Sequence, residues 1–196
     1  MERSAAQRQQ RRIIVGITGA SGAIYGVRIL EALRAMDVDS HLIMSRASHI
    51  TLQQETDLDA AAVEALATHV HAPDDLAAPI ASGSFRTHGM VIAPCSIKTL
   101  SSVANSHSSN LLVRAADVTL KEGRSLILAV REAPLHLGHL RLMVRAAELG
   151  AVIFPPIPSF YARPTTVDDL VDQTVGRILA RLGLDNDLYD VWQGLT

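Results

Sequence analysis

Ile13-Ile14-Val15-Gly16-Ile17-Thr18-Gly19-Ala20-Ser21-Gly22-Ala23 is the stretch that decides the fold. Its first five residues are an apolar, β-branched run, the pattern of a strand buried on both faces. Small residues then break the run. Beyond Ala23, Ile24, Val27, Leu30 and Leu33 recur at helical spacing as far as Met36. A buried strand, a small-residue turn and an amphipathic helix make the first half of a β-α-β unit.

The alternation continues outward. Further strands are expected at 41–45, 90–93 (stopped by Pro94), 126–130 and 151–154. Helices are expected at 46–55, 60–70, 96–104, 109–122, 136–149 and 167–182. Asp74 to Ser84 reads as irregular, Gly150 ends one helix, and Thr166 or Thr165 caps the last. Five strands alternating with helices predict an α/β fold, a Rossmann-like or flavodoxin-like three-layer sandwich with a mainly parallel sheet, as a single domain over residues 12–185. In such sheets ligands bind beyond the carboxyl ends of the strands.

The 196 residues are 48% apolar and 19% charged, with a net charge of −2. A chain of this size buries about 70% of its unfolded surface, so disorder of the bulk is excluded. So is a strong general field for nucleic acid. No apolar run reaches the roughly 18 residues of a membrane span, and neither a nucleic acid nor a membrane is expected as partner. Lone Cys95 can form no internal disulfide or multi-cysteine metal site, and a reducing cytoplasm is the default expectation for the compartment. Residues 1–11 are polar and basic. They are expected to be a disordered lead-in rather than a secretory signal, with a transit peptide or nucleic-acid arm as alternatives. Residues 186–196, with the single tryptophan Trp192, are expected to be a tail against a neighbouring subunit.

The loops carry the chemistry. Gly19, Ala20 and Ser21 open a helix whose N-terminal N–H groups and dipole suit a phosphate; a tight packing turn is the alternative. The Gly-Lys-Ser/Thr of a Walker loop is missing. The second strand ends in Ser45-Arg46, without the acidic residue a dinucleotide's ribose requires, so a mononucleotide such as FMN fits better than NAD. Ser96, Ile97, Lys98 and Thr99 start another helix and form a second wall for an anion. Cys95 beside it reads as a buried apolar residue, with an activated thiol as the alternative. Lys98 and Lys121 are the only lysines among 18 basic residues, and both fall in candidate site segments. Arg114 and Lys121, two helical turns apart, share a face; a solvated face with Asp117 and Glu122 as counter-ions is the alternative. After the fourth strand, Arg131 suits a phosphate and Glu132 a proton, or the two form a plain ion pair. Tyr161 lines a pocket or simply packs. His136 and His139 lack a third ligand and are weak evidence for zinc.

In order along the chain, Gly16-Ile17-Thr18-Gly19-Ala20-Ser21-Gly22-Ala23-Ile24-Tyr25-Gly26, Ala81-Ser82-Gly83-Ser84-Phe85, Ala93-Pro94-Cys95-Ser96-Ile97-Lys98-Thr99-Leu100, Arg114-Ala115-Ala116-Asp117-Val118 and Arg131-Glu132-Ala133-Pro134-Leu135 together resemble the UbiX-type flavin prenyltransferase family, as do Pro155-Pro156, Phe160-Tyr161 and Arg177. The resemblance runs from about residue 12 to Trp192. It implies metal-independent transfer of a dimethylallyl group from dimethylallyl phosphate or pyrophosphate to N5 and C6 of reduced FMN. The product, prenylated FMN, serves a UbiD-type decarboxylase. It also implies a homododecamer with sites at subunit interfaces, where Tyr161, Arg177 and Trp192 serve a neighbour's flavin. By the same resemblance, Gly19, Ala20, Ser21, Ser45, Ser96, Ile97, Lys98, Thr99 and Arg131 hold FMN. Arg114, Lys121, Tyr161 and Arg177 hold the prenyl phosphate, and Ser21, Glu55, Glu132, Lys121 and Arg114 are catalytic. No metal is implied. Arg46, Leu76 and Ser159 depart from the common pattern (lysine, tryptophan and alanine), which leaves donor preference open. A flavin-dependent cysteine decarboxylase of related fold and a non-catalytic FMN carrier are the alternatives.

Overall fold

The computed structural model describes residues 11–194. Its strands are β1 (Arg12–Ile17), β2 (Asp39–Met44), β3 (His69–His71), β4 (Gly89–Cys95), β5 (Ser125–Val130) and β6 (Val152–Ile153). The helices are α1 (Ala23–Ala35), α2 (Arg46–Glu55), α3 (Ala60–Glu64), α4 (Ile97–Ala104), α5 (Leu111–Lys121), α6 (Leu137–Glu148) and α7 (Val167–Arg181). The strands form one sheet in the order β3-β2-β1-β4-β5-β6, and all five pairings are parallel. This is the Rossmann order, with its switch point between β1 and β4.

Odd residues of β1 (Ile13, Val15, Ile17) join α1, α7 and Leu52 and Val63 of the short helices in one apolar layer. Ile14, Met90, Ile92, Leu126 and Leu128 join α4, α5 and α6 in the other. Burial on both faces explains why the strands read as continuous apolar runs rather than alternating ones. Helix α1 packs very close to the sheet: a Cβ on Gly26 would meet the Ala93 carbonyl oxygen at 2.5 Å and Ile17 at 2.7 Å. Only glycine allows this approach.

Two expectations need correction. The helix foreseen over 60–70 stops at Glu64, and His69–His71 forms a sixth strand, β3, at the sheet edge. The alanine-rich approach masked a strand of three residues that pairs with β2 alone. Pro94 does not end β4, which runs on to Cys95; the register shifts between Ile92 and Cys95. Proline has no N–H to give a ladder, and an irregular position requires none.

Thr166 caps α7 in a reciprocal box with Asp169, whose carboxylate also accepts from Thr165 N and Oγ1. These bonds hold the Asp169 carboxyl down at about 2, the Thr165 backbone bond foremost. The expected lead-in lies outside the described residues except for Arg11, whose guanidinium donates to the Gly183 carbonyl at 2.6 Å. The tail lies along its own α7: Asp190 N donates to Gln173 Oε1 at 3.0 Å, and Asn186 donates to the Gly176 carbonyl at 3.0 Å.

Candidate active site

At the switch point the β1–α1 and β4–α4 loops part to opposite faces and leave a crevice over the sheet's carboxyl edge. Thr18 ties the two loops at their roots. Its buried hydroxyl donates to the Pro94 carbonyl at 2.7 Å and accepts from Ser96 N at 2.8 Å. The sequence reading passed over Thr18, because its partners lie 76 and 78 residues away.

Gly22 turns the chain into α1 with φ of +99° and offers no side-chain cap. Its cap comes from elsewhere: Glu55 Oε2, at the end of α2, accepts from Gly22 N at 2.7 Å and Ala23 N at 3.0 Å. The expected anion at this helix start is therefore the chain's own carboxylate. That corrects the expectation of a bound phosphate on these N–H groups. What burial Glu55 has raises its pKa, but hydrogen bonds from the Ser21 hydroxyl, Gly22 and Ala23, with Arg131 nearby, outweigh it, and the net shift is downward. Glu55 is thus ionised at neutral pH, bonded to Gly22 N and Ala23 N beside Ser21, with Arg131 near enough for its charge to act.

Ser45 and Ser96 are both N-caps. Ser45 accepts from Ser48 N on α2, and Ser96 accepts from Thr99 N on α4 while its hydroxyl donates to Thr99 Oγ1 at 3.1 Å. With Thr99 N capped, Ile97 and Lys98 contribute the remaining first-turn N–H groups of α4, and the Lys98 side chain is exposed beside them. This helix start, with its hydroxyls and ammonium, fits the phosphate of a mononucleotide. Cys95 beneath it is fully buried, which pushes its thiol up to about 12; it is a core residue. Arg131 follows β5, its N–H on the Cys95 carbonyl at 3.1 Å. Glu132 is exposed and accepts from Ala133 N at 3.1 Å.

Tyr25 extends the site sideways. Burial raises its pKa, while a hydrogen bond with Thr174 of α7 and the charge of Arg131 act the other way. Beyond Thr174 lies a hollow of about 240 Å³ between the end of β6 and α7, lined by Phe154, Pro155, Ile157, Ser159 and Arg177 among others. The Arg177 guanidinium stands 5.8 Å from the Phe154 ring centre. An apolar hollow with one cation at its wall suits a short prenyl chain bearing a phosphate. Tyr161 accepts from Gln173 Nε2 at 3.0 Å and meets Trp192 edge-on at 5.8 Å.

Arg114 and Lys121 sit elsewhere. Helix α5 descends toward the amino edge of the sheet, and Lys121 ends it four residues before Ser125 pairs with Gly89 at the start of β4. A six-residue strand, about 17 Å, separates that edge from Arg131. Lys121 pairs with Glu122 against Gly83. Arg114, about 10 Å higher along the helix, donates to the Ala81 carbonyl at 3.1 Å and pairs with Asp117 at 3.1 Å. Arg124 fastens the same loop, donating to the carbonyls of Gly83 and Phe85. The chain alone therefore gathers Ser21, Glu55, Ser96–Thr99 and Arg131, with Arg177 to the side. It does not bring Lys121 to them.

His136 caps α6 through Nδ1, and its ring lies 3.5 Å from that of His139. Among the described residues no third ligand joins this pair.

Residues 1–179 match the model of the Flavoprotein family. The flavin prenyltransferase UbiX of Thauera aromatica is 58% identical over 183 residues, 93% of this chain and 94% of that one. A UbiX crystal structure in complex with FMN and dimethylallyl pyrophosphate superposes with a TM-score of 0.94 at 46% identity, over 96% of this chain and all of the other. A dodecameric FMN-dependent UbiX-like decarboxylase from Escherichia coli O157:H7 gives 0.91 at 48% identity, over 93% of this chain and all of the other. An FMN-dependent cysteine decarboxylase at 17% identity, TM-score 0.61, shares the fold alone. With a switch-point crevice built from the motif residues and relatives this similar along nearly the whole chain, the protein belongs to the UbiX family of flavin prenyltransferases.

Proposed function

We propose that this chain transfers a dimethylallyl group from dimethylallyl phosphate or pyrophosphate to reduced FMN, making prenylated FMN for a UbiD-type decarboxylase. The observation that carries this most directly is Glu55: an ionised carboxylate held by Gly22 N and Ala23 N beside Ser21 at the mouth of the crevice, within the influence of the Arg131 charge. Reduced FMN supplies the nucleophilic N5 and C6 that take up the prenyl group. The start of α4 (Ser96, Ile97, Lys98, Thr99), with Gly19, Ala20 and Ser45, holds the flavin, and Arg131 orients it. Arg177 and Tyr161 hold the donor's phosphate.

The departing phosphate needs neutralising, and fixed cations in a shielded pocket do this where another enzyme uses a divalent ion. Glu55 stabilises positive charge on the allyl group and takes up a proton through the Ser21 hydroxyl as the new ring closes; Glu132 is a second proton acceptor. The position of Lys121 and Arg114 supports an assembly in which one chain's amino edge completes its neighbour's crevice. A homododecamer like that of the E. coli relative offers such contacts, with the tail around Trp192 against a neighbour. Among the described residues no helix is long and apolar enough to cross a membrane; residence in the cytoplasm is part of the proposal.

The test is anaerobic incubation with reduced FMN and each donor, followed by mass spectrometry of the flavin. A mass gain of one prenyl group is expected. An unchanged flavin with both donors overturns the proposal, and carbon dioxide release from a cysteine-ended peptide would favour the decarboxylase reading instead.

A further inference from the structure

The sheet face beneath α5 carries, at its β2–β3 edge, a cluster that the flavin crevice does not use. Asp39 and His41 lie two apart on β2, so both side chains leave the same face. His41 is the register partner of His69 on β3, and their rings stack with centres 4.5 Å apart. Arg12, the register partner of Asp39 on β1, donates from Nε to Asp39 Oδ2 at 3.1 Å. That leaves Oδ1 turned toward the imidazoles, 3.2 Å from His69 Nε2 and 4.0 Å from His41 Nε2. Asp39 is 6% exposed and His41 3%, yet Asp39 Oδ1 and His41 Nε2 have no hydrogen-bond partner. Oδ1 has only the approach of the half-exposed His69, and His41 Nε2 has no partner at all; native folds rarely leave buried polar atoms so poorly satisfied side by side.

We propose that Asp39 Oδ1, His41 Nε2 and His69 Nε2 are the protein ligands of a divalent transition-metal ion of the Zn²⁺ type. Solvent takes the fourth position on the side of His69, whose side chain is half exposed. One ligand atom from each of the three residues lies within 4.8 Å of the other two. Ligands of a tetrahedral zinc stand roughly 3.3 Å apart, so closing the site requires the half-exposed His69 ring to swing out of its stack on His41. Two imidazoles and a carboxylate are a donor set that zinc accepts.

The surroundings are those of a supported site. His41 Nδ1 lies 2.9 Å from His71 Nε2; with the proton on His41 Nδ1, its Nε2 lone pair faces the ion, the usual outer-sphere device for a ligating histidine. Arg12 holds the carboxylate monodentate, although its charge tempers the affinity. Phe85 meets the His41 ring edge-on at 5.3 Å and limits its rotation. The ion would bridge β2 to the three-residue edge strand β3, a cross-link in a place where the ladder is short. Within one chain it lies at the amino edge of the sheet, away from Glu55 and Arg131.

Tag-free, EDTA-treated and dialysed protein is titrated with zinc sulfate by calorimetry, with melting curves alongside. One Zn²⁺ per chain and a saturable rise in melting temperature are expected. His69→Ala should weaken binding by more than about 100-fold, and His71→Ala by about 10- to 100-fold, while His139→Ala binds as the parent does. Co²⁺ in place of zinc should give the intense visible bands of four-coordinate geometry in the unmodified protein, a readout independent of whether any variant folds. No stoichiometric Zn²⁺ uptake, equal uptake by His69→Ala, or Co²⁺ bands of six-coordinate geometry only would each overturn the proposal.

Discussion

Replacing Thr18 with valine tests how the crevice is built. Valine keeps the shape and removes the hydroxyl that donates to Pro94 O at 2.7 Å and accepts from Ser96 N at 2.8 Å. Pro94 O keeps a second, longer bond from Thr18 N at 3.3 Å, so its loss is small. Ser96 N–H keeps nothing, and an unsatisfied donor in a buried position costs about 1–3 kcal/mol. Taking about 2 kcal/mol, and about 2–4 °C per kcal/mol for a chain of this length, Thr18→Val should melt about 4–8 °C lower. The same bond sets where α4 begins, so flavin affinity should fall by roughly tenfold, the equivalent of about 1.4 kcal/mol. Thr18→Ser keeps the hydroxyl and should keep the affinity. Melting is followed by circular dichroism at one chain concentration, and binding by quenching of flavin fluorescence. A Thr18→Val protein that melts within about 1 °C of the parent and binds flavin equally would show that the two loops are not tied through this hydroxyl.

Further outcomes follow from the geometry. Lys121→Ala and Glu55→Gln should each cut turnover severely. Refolded together, the two variants should regain activity, since mixed assemblies hold some crevices with both groups intact; no recovery would count against the shared site. Prenyl transfer should survive EDTA treatment even where the melting temperature drops, and loss of turnover restored by a divalent ion would refute the role given to the cations. The Asp169 pKa is lowered in the folded chain, so its contribution to stability is present above the ordinary carboxylate range. It fades as pH falls from about 4 to about 2. Asp169→Asn should flatten the acid limb of a stability–pH profile over that window, and an unchanged limb would contradict the capping box. Cys95, buried with its thiol near 12, should resist iodoacetamide until the chain unfolds, and labelling of native protein would refute that burial.

How much of this was written in the chain follows from the range of each interaction. Strands buried on both faces announce themselves as apolar runs, and the turn at Gly19–Gly22 sits where a strand must become a helix, so the fold and the loops that border the crevice are legible. Ser45 and Ser96 read from the sequence as candidate site residues; that they cap α2 and α4 shows only in coordinates. Edge strand β3 was hidden by its three-residue length behind a run of alanines. Thr18 was missed because its partners are more than seventy residues away. The cluster of Asp39, His41 and His69 exists only through strand register, which no local pattern records. Lys121 stands out among the basic residues as one of two lysines, but nothing in its spacing reveals that it lies at the far edge of the sheet from Ser21.

Glu55 has a further consequence. By seating a side chain on the α1 start, the protein fills from within the berth where a doubly wound fold would lodge the diphosphate bridge of NAD or FAD. A diphosphate would first have to displace that carboxylate, and emptying the seat with Glu55→Ala should turn the helix start into a docking point for stray sulfate.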